Sequence, residues 1–193
     1  KGKHELTITG EAYFEPIVIN KACDYIDLRD GKEQIWVTLQ AFNGIPEANE
    51  RGGRYHSYKD IAHYTNVYLD VDATKPDGFK DFAATEEERA KARDQMPVVE
   101  AWLVSKGLGF GLRLLTGNGC GFVLPIPPTS TAPDFIAKVA TFLKVARVET
   151  GCNIDTTMFD PGRVIGIPGT VNCKLENDDR KNHRRETIGQ IPE

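Results

Sequence analysis

Two early stretches of the chain have the hydrophobic pattern of β-strands. Residues 35–42 (IWVTLQAF) alternate apolar and polar positions and are rich in β-branched and aromatic residues, which predicts a strand. Residues 66–71 (NVYLDV) form a short apolar run, which predicts a buried strand. Between them, residues 43–55 contain glycines and a proline and predict a loop.

A helical region follows the turn sequence KPDG at residues 75–78. Thr85 and Glu88 have the spacing of a capping box, in which Thr85 is the N-cap and Glu88 the N3 residue. Pro97 must kink or split the helix that begins there, because proline lacks the amide hydrogen of the helical ladder. The second helical piece is expected to run to about Lys106, with Gly107 suited to end it.

The second half of the chain predicts a hairpin, a helix and a last strand. Residues 110–115 and 122–126 are apolar runs separated by Thr-Gly-Asn-Gly, which predicts two hairpin strands. A helix is expected to begin at Pro133 and to end at Gly151, because its apolar residues recur at helical spacing. Residues 163–167 predict a final strand. Strands and helices are interleaved, so the expected fold class is α+β or mixed α/β.

Length and composition are those of one globular domain, with or without a small subdomain: 193 residues, of which 40% are hydrophobic. No stretch approaches the roughly 18 apolar residues of a membrane span, and no secretory leader opens the chain, so we expect a cytoplasmic protein. The chain begins at Lys1 rather than methionine, which suggests a domain of a longer protein. The four cysteines lack metal-binding spacing and are expected to be free thiols.

The charge of the chain limits how it can bind a nucleic acid. The net charge is −4 and the isoelectric point is about 5.6. A protein that coats nucleic acid non-specifically is usually basic. Any contact with a polynucleotide must therefore be a local patch, or a groove in which a metal ion offsets acidic side chains.

Asp70 and Asp72 are the first candidates for chemistry. Residues two apart on a strand point to the same face, so the two carboxylates stand side by side while Val71 faces the core. Like charges this close repel unless a cation neutralises them, and oxygen ligands favour Mg²⁺ or Mn²⁺ over zinc. Such a pair can bridge two metal ions. The alternative is a pair of surface aspartates at a strand end.

The turn at residues 116–119 is the second candidate. Its glycines let successive amide groups point into one concavity, which is a shape that binds phosphate oxygens. Thr116 adds a hydroxyl, and Arg113 adds a charge-assisted hydrogen bond donor. The alternative is a plain hairpin turn, because Asn-Gly between two apolar runs is a strong hairpin signal.

Further candidates lie near the end of the chain. Asp155 is a candidate third metal carboxylate, or else an N-cap or turn residue. Arg163 and Lys174 are candidates to face a triphosphate, with Asn172 as a polar contact. For Arg163 the alternative is a surface ion pair. Four of the six residues at 180–185 (RKNHRR) are cationic, which suits either template phosphates or a solvated tail.

The order of these elements resembles the archaeo-eukaryotic primase superfamily, and most closely the primase-polymerase domains of plasmids, phages and mobile elements. The resemblance covers the last two-thirds of the chain, and the first 60 residues add little to it. The matching stretches are NVYLDVDA (66–73), LLTGNGCGFVLP (114–125), NIDTTMFDPGRVIGIPGTVNCK (153–174) and, more loosely, KNHRRETIGQIPE (181–193).

The resemblance implies a single primase-polymerase catalytic domain over residues 1–193, with a small α/β unit, an RNA-recognition-motif-like sheet and the active site in the cleft between them. It implies template-dependent nucleotidyl transfer with two Mg²⁺ or Mn²⁺ ions. Its partners would be nucleoside triphosphates, a single-stranded DNA template with its primer, and a helicase or other replication domain in a longer protein. The implied metal ligands are Asp70, Asp72 and Asp155; the implied nucleotide contacts are Arg113, Thr116, Gly117, Asn118, Gly119, Arg163, Asn172 and Lys174; the implied nucleic-acid contacts are Lys181, His183, Arg184 and Arg185.

Gly121 departs from the family pattern. The second motif of the family usually ends in a histidine that contacts the nucleotide phosphates, and here that position is Gly121. Either another cation replaces the imidazole, or the chain is a weak or inactive relative that binds nucleotide or single-stranded nucleic acid for a replication initiator. A glycosyltransferase also uses an Asp-x-Asp metal site, but that interpretation does not account for Asp155 or residues 163–174.

Overall fold

The computed structural model describes residues 23–24, 26–28, 30–32, 34–42, 61–79, 82–173 and 188–190. The strands and longer helices of this part of the chain are β1 (Trp36–Thr38), β2 (Ala41–Phe42), β3 (Ile61–Asp72), α1 (Glu86–Arg93), α2 (Met96–Ser105), β4 (Leu112–Leu115), β5 (Gly119–Thr129), α3 (Pro133–Thr150), β6 (Val164–Gly166) and β7 (Ile188–Gln190). The fold class is α+β, as the interleaved pattern predicts.

The main sheet has five antiparallel strands in the order β2-β3-β5-β4-β7, and a second sheet pairs β1 with β6. On the far side of β3 from β5, Val71 forms an isolated antiparallel bridge with Ile154. Along the chain, β3 is followed by the helices α1 and α2, the hairpin strands β4 and β5, the helix α3 and the segment that contains Ile154. This is the split βαβ arrangement, which RNA-recognition-motif-like sheets share.

The two faces of the main sheet are covered by different elements. On one face, Leu69 and Phe122 pack with the buried side chains of α2 and α3. On the other face, Tyr68 and Leu114 pack with Ile165 of the small sheet. Because side chains alternate along a strand, Tyr68 and Leu69, which are neighbours on β3, belong to different environments.

The helix ends follow the local signals in the sequence. The Thr85 hydroxyl accepts a hydrogen bond from the amide of Glu88 at 3.3 Å, and the Glu88 carboxylate accepts one from the amide of Thr85 at 2.9 Å. The helical region is split at residues 94–95, and Pro97 lies in the first turn of α2. Gly107 and Gly151, with φ of +70° and +68°, follow the ends of α2 and α3 in the left-handed conformation.

Removal of the Thr85 hydroxyl tests the cap. Thr85→Ala is expected to lower the free energy of unfolding by about 1 kcal/mol, because the amide of Glu88 loses the hydroxyl that accepts its hydrogen bond. Urea denaturation followed by circular dichroism measures this change. Thr85→Ser keeps the hydroxyl and is the matched control; an equal loss in both variants would contradict the capping role.

Strand boundaries differ from the sequence prediction. β3 begins at Ile61 instead of residue 66, and β5 extends from Gly119 to Thr129 instead of covering only 122–126. The strand predicted at 35–42 is two strands in different sheets, because the chain bends at residues 39–40. There the Gln40 side chain donates to the carbonyl of Asn66 at 2.7 Å and accepts from the amide of Thr65 at 2.8 Å. The loop predicted at 43–55 lies outside the described residues.

All four cysteines are free, as predicted. Within the described ranges, no helix combines the length and the apolar character that crossing a bilayer requires.

Candidate active site

The end of β3 presents two carboxylates on the face of the sheet that carries the small β1-β6 sheet. Leu69 and Val71 have no exposed surface, and their side chains pack in the core between the sheet and the helices. The alternation of the strand therefore turns Asp70 and Asp72 to the opposite face, where Asp70 is half-buried and Asp72 is exposed. The predicted pairing of these two side chains on one face is confirmed.

Asp155 joins this pair because of the bridge between residues 71 and 154. The amide of Asp155 donates to the carbonyl of Asp70 at 2.8 Å, and the amide of Asp72 donates to the carbonyl of Asn153 at 3.1 Å. This antiparallel register sets residue 155 opposite residue 70. One carboxylate oxygen from each of the three aspartates lies within 4.8 Å of the others. We call these three residues the carboxylate cluster.

The bridging segment is held by contacts from three directions. Ile154 is fully buried in the helix-side core. Gln95, between α1 and α2, accepts a hydrogen bond from the amide of Asn153 at 2.8 Å, and Arg147 of α3 donates to the carbonyl of Ile154 at 3.3 Å. The Asn153 side chain donates to the carbonyl of Asp72 at 3.0 Å. The position of Asp155 is thus set by the helices as well as by β3.

Asp155 is also a turn residue, which was one of the two alternative interpretations of its sequence position, the other being an N-cap. Its carboxylate accepts hydrogen bonds at 2.8 Å from both the amide and the hydroxyl of Thr157. Arg163 donates to the same hydroxyl at 3.4 Å. The turn therefore connects Arg163 to the edge of the carboxylate cluster.

The donor set of the cluster suits a hard divalent cation. Three carboxylates supply oxygen ligands only, which favours Mg²⁺ or Mn²⁺. Carboxylates this close also repel one another, and a cation among them removes that repulsion. The residues present therefore fit the metal ions implied by the sequence, while metal binding itself stays a prediction.

Tyr68 is a residue of the site that the sequence interpretation missed. It lies on the same face of β3 as Asp70, and its hydroxyl donates to the Asp70 carboxylate at 3.4 Å. Burial, followed by the charge of Asp70, raises the pKa of Tyr68 well above its ordinary value of 10. Burial also raises the pKa of Cys120, on the other face of the sheet, to about 12. Both groups are therefore protonated at neutral pH.

The glycine turn at 116–119 is a tight hairpin turn that lies beside the cluster. The amide of Thr116 donates to the carbonyl of Gly119 at 2.9 Å, and Gly119 pairs with Asp72. A β-carbon at Gly119 would lie 2.2 Å from the carbonyl oxygen of Val71, so only glycine allows this approach. Asn118 accepts a hydrogen bond from the amide of Ala84 at 2.8 Å through its side chain. Gly117 is buried. Nucleotide binding by this turn stays a prediction.

Arg113 does not face the carboxylate cluster, contrary to the expectation that it would contact the same nucleotide. It pairs with Phe122, whose side chain lies in the helix-side core. Its guanidinium contacts both oxygens of Glu100 on α2 at 2.7 and 2.8 Å. The register of β4 therefore turns Arg113 to the opposite side of the sheet, where it forms an ion pair.

The last candidates lie along or beyond the small sheet. Asn172 is half-buried between two anchored residues: the amide of Val171 donates to Asp30, and the amide of Cys173 donates to Gln34, each at 2.7 Å. The remaining cationic candidates lie outside the described residues, and their roles stay predictions: Lys174, Lys181, His183, Arg184 and Arg185.

Comparisons with known proteins give one structural similarity. No protein-family model matches the chain, and no curated protein matches it. The chain is similar in structure to the polymerase domain of Mycobacterium tuberculosis Ligase D, solved in complex with DNA, with a TM-score of 0.41 and 16% sequence identity. The match covers 72% of this chain and 47% of the Ligase D polymerase domain, so this chain spans about half the length of that domain. The function of this chain is therefore inferred from its own side chains.

Proposed function

We propose that this chain is a nucleotidyltransferase that copies a nucleic-acid template as a DNA primase or DNA polymerase. The observation that carries the proposal is the carboxylate cluster: three acidic side chains from two distant segments, with oxygens within 4.8 Å, beside a glycine turn. The alternative interpretation, that Asp70 and Asp72 are only surface aspartates at a strand end, does not explain why Asp155 lies beside them. The convergence of Asp155 also disfavours the glycosyltransferase interpretation, which leaves that residue without a role.

In this proposal, Asp70, Asp72 and Asp155 hold two Mg²⁺ or Mn²⁺ ions. Ions held by these residues would supply activation of an attacking 3′ hydroxyl and stabilisation of the leaving pyrophosphate. The protein's own contribution is to position the nucleotide and to stabilise charge, so no protein nucleophile is needed.

The residues around the cluster receive roles in nucleotide binding. The turn containing Thr116, Gly117, Asn118 and Gly119 contacts the incoming nucleoside triphosphate from the Asp72 side. Arg163 approaches from the Asp155 side through Thr157 and contacts the triphosphate, with Asn172 and Lys174 further along the same segment. Guanidinium and phosphate form strong charge-assisted hydrogen bonds, so Arg163 is the main cation of the proposed site.

The proposed partners follow from the reaction. A single-stranded DNA template and a primer enter beside the cluster, and the cationic run at 180–185 neutralises their phosphates. The family resemblance adds a helicase or another replication domain as a proposed partner, and the proposed location is the cytoplasm.

Because Arg113 lies on the other face of the sheet from Asp70, replacing it is expected to affect nucleotide binding less than replacing Arg163. Arg113→Met is expected to leave the KM for nucleotide within about twofold of wild type, because the side chain lies on the other face. It is expected to cost about 1 kcal/mol of stability, since the pair with Glu100 is partly exposed. Arg163→Met is the matched comparison and is expected to raise that KM about tenfold. Steady-state incorporation kinetics measure both; equal KM changes in the two variants would contradict the assignment.

The alternative function is a binding module that holds nucleotide or single-stranded nucleic acid without transferring it. Gly121 favours this alternative, because the position at which the resemblance implies a phosphate-binding histidine has no side chain. Both functions require binding of nucleotide or single-stranded nucleic acid, but only the transferase forms an extended strand.

A primer-extension and a de novo priming assay test the proposal. Labelled ribo- and deoxynucleotides are supplied with a single-stranded template and Mg²⁺ or Mn²⁺, with and without a chelator. The proposal expects a metal-dependent product that disappears with Asp70→Ala and persists with Asp94→Ala, a control at an exposed aspartate outside the cluster. Nucleotide binding without product under all of these conditions would instead establish the binding module.

A further inference from the structure

We propose that Tyr68 is a positioning residue that orients the Asp70 carboxylate for metal binding. This inference rests on the proposed function, because it concerns the same cluster. Tyr68 need not touch the nucleotide or the metal ions; it acts through Asp70.

The geometry of β3 brings the two side chains together. Tyr68 and Asp70 are two residues apart on one face of the strand, and the tyrosine hydroxyl donates to one oxygen of Asp70 at 3.4 Å. A hydroxyl that donates to one carboxylate oxygen restricts the rotation of that carboxylate. The other oxygen then points in a defined direction relative to Asp72 and Asp155.

The tyrosine ring is held rigidly. Tyr68 is 4% exposed and packs in a cluster with Leu114, Val123 and Ile165. A side chain with two rotatable bonds, packed on all sides, keeps its hydroxyl in one place. The residues of the small sheet therefore contribute indirectly to the orientation of Asp70.

Gly121 makes room for this arrangement. It lies on β5 directly opposite Asp70. A β-carbon at residue 121 would lie 2.3 Å from the Tyr68 hydroxyl oxygen and 2.6 Å from the ring carbon that bears it. Tyr68 thus occupies the space that a side chain at 121 would need, and the glycine is a condition for the contact with Asp70.

The size of the expected effect follows from other metal sites. Groups that hydrogen-bond to metal ligands fix ligand orientation, and their loss typically costs about 10- to 100-fold in metal affinity or activity. The Tyr68 hydrogen bond is long at 3.4 Å, so the lower end of that range, about tenfold, applies here.

The test compares two tyrosines of the same strand. Tyr68→Phe removes only the hydroxyl that reaches Asp70. Tyr64→Phe is the matched control, because Tyr64 is equally buried but donates to the carbonyl of Phe159 and lies in the helix-side core. Mn²⁺ affinity is measured by electron paramagnetic resonance, incorporation by primer extension and folding by thermal denaturation.

Tyr68→Phe is expected to weaken Mn²⁺ binding about tenfold while Tyr64→Phe leaves it unchanged. The loss of incorporation in Tyr68→Phe is expected to be larger at limiting than at saturating Mn²⁺. A purely structural role for Tyr68 would lower the melting temperature without this dependence on Mn²⁺. Unchanged Mn²⁺ affinity in Tyr68→Phe, with binding lost in Asp70→Ala, would overturn the positioning role and leave the proposed function intact.

A measurement on the wild-type protein does not depend on the variants folding. With tyrosines labelled by ¹³C at the ring carbon that bears the hydroxyl, Mg²⁺ titration is expected to shift the Tyr68 resonance and not that of Tyr64. A Tyr68 resonance that does not respond to saturating Mg²⁺ would overturn the inference. A wild-type protein that binds no divalent cation would overturn the proposed function as well.

Discussion

Changing Asp155 to asparagine is expected to lower metal-dependent nucleotide incorporation by about a hundredfold to a thousandfold while the protein stays folded. The change removes one of three charges that hold the cations, and loss of one electrostatic group at a reacting centre typically costs about 10²- to 10³-fold. Asparagine keeps a side-chain oxygen in place of the one that accepts hydrogen bonds from Thr157, so the local turn is preserved.

Asp155→Asn is also expected to change how the melting temperature of the protein depends on Mg²⁺. Without metal, the carboxylates of the cluster repel one another, and asparagine at 155 relieves part of this repulsion. The melting temperature of metal-free Asp155→Asn is therefore expected to equal or exceed that of wild type, and Mg²⁺ is expected to stabilise only the wild type.

Primer extension and thermal denaturation, each with and without Mg²⁺, measure these effects. Asp94→Asn, at the exposed end of α1, is the charge-matched control and is expected to retain wild-type activity. If Asp155→Asn retained a tenth or more of wild-type activity, the cluster would not be the catalytic centre.

Gly121→Ala is expected to destabilise the fold by about 3 kcal/mol, the upper part of the range for overpacking a core. The added β-carbon would lie 2.3 Å from the Tyr68 hydroxyl oxygen and 2.7 Å from the carbonyl oxygen of Leu69. The tyrosine could move only by disturbing its buried cluster, and the carbonyl belongs to β3, which lies inside the sheet between β2 and β5.

Chemical denaturation measures the change, and Gly109→Ala is the matched control. Gly109 is exposed, its φ is not positive, and a β-carbon there would meet nothing within 4 Å. Its replacement is expected to change the free energy of unfolding by less than about 0.5 kcal/mol. Equal stability of the two alanine variants would show that Tyr68 does not occupy the space above Gly121.

The same contact predicts the result of restoring the family's histidine. Gly121→His is expected to lower incorporation instead of raising it, because its β-carbon displaces Tyr68 and disturbs Asp70. Incorporation kinetics at fixed Mn²⁺ measure this effect. A gain in activity would mean that the glycine weakens the enzyme by removing the histidine. It would contradict the interpretation that Gly121 makes room for the contact between Tyr68 and Asp70.

The amino-acid sequence alone determined the features that depend on neighbours close along the chain. The capping box at Thr85, the helix ends at Gly107 and Gly151, and the common face of Asp70 and Asp72 all follow from local hydrogen bonding and strand alternation. The fold class followed from the order of the same local patterns. These signals need no knowledge of which segments meet.

Only the tertiary structure decided which distant segments meet and in which register. Asn153 contacts Asp72 across 81 residues of chain, and a register shifted by one residue would turn Asp155 to the other face. The same dependence on register turned Arg113 toward Glu100 and set Gly121 beneath Tyr68. Register is set by packing between sheet, helices and small sheet, and a linear pattern does not contain that information.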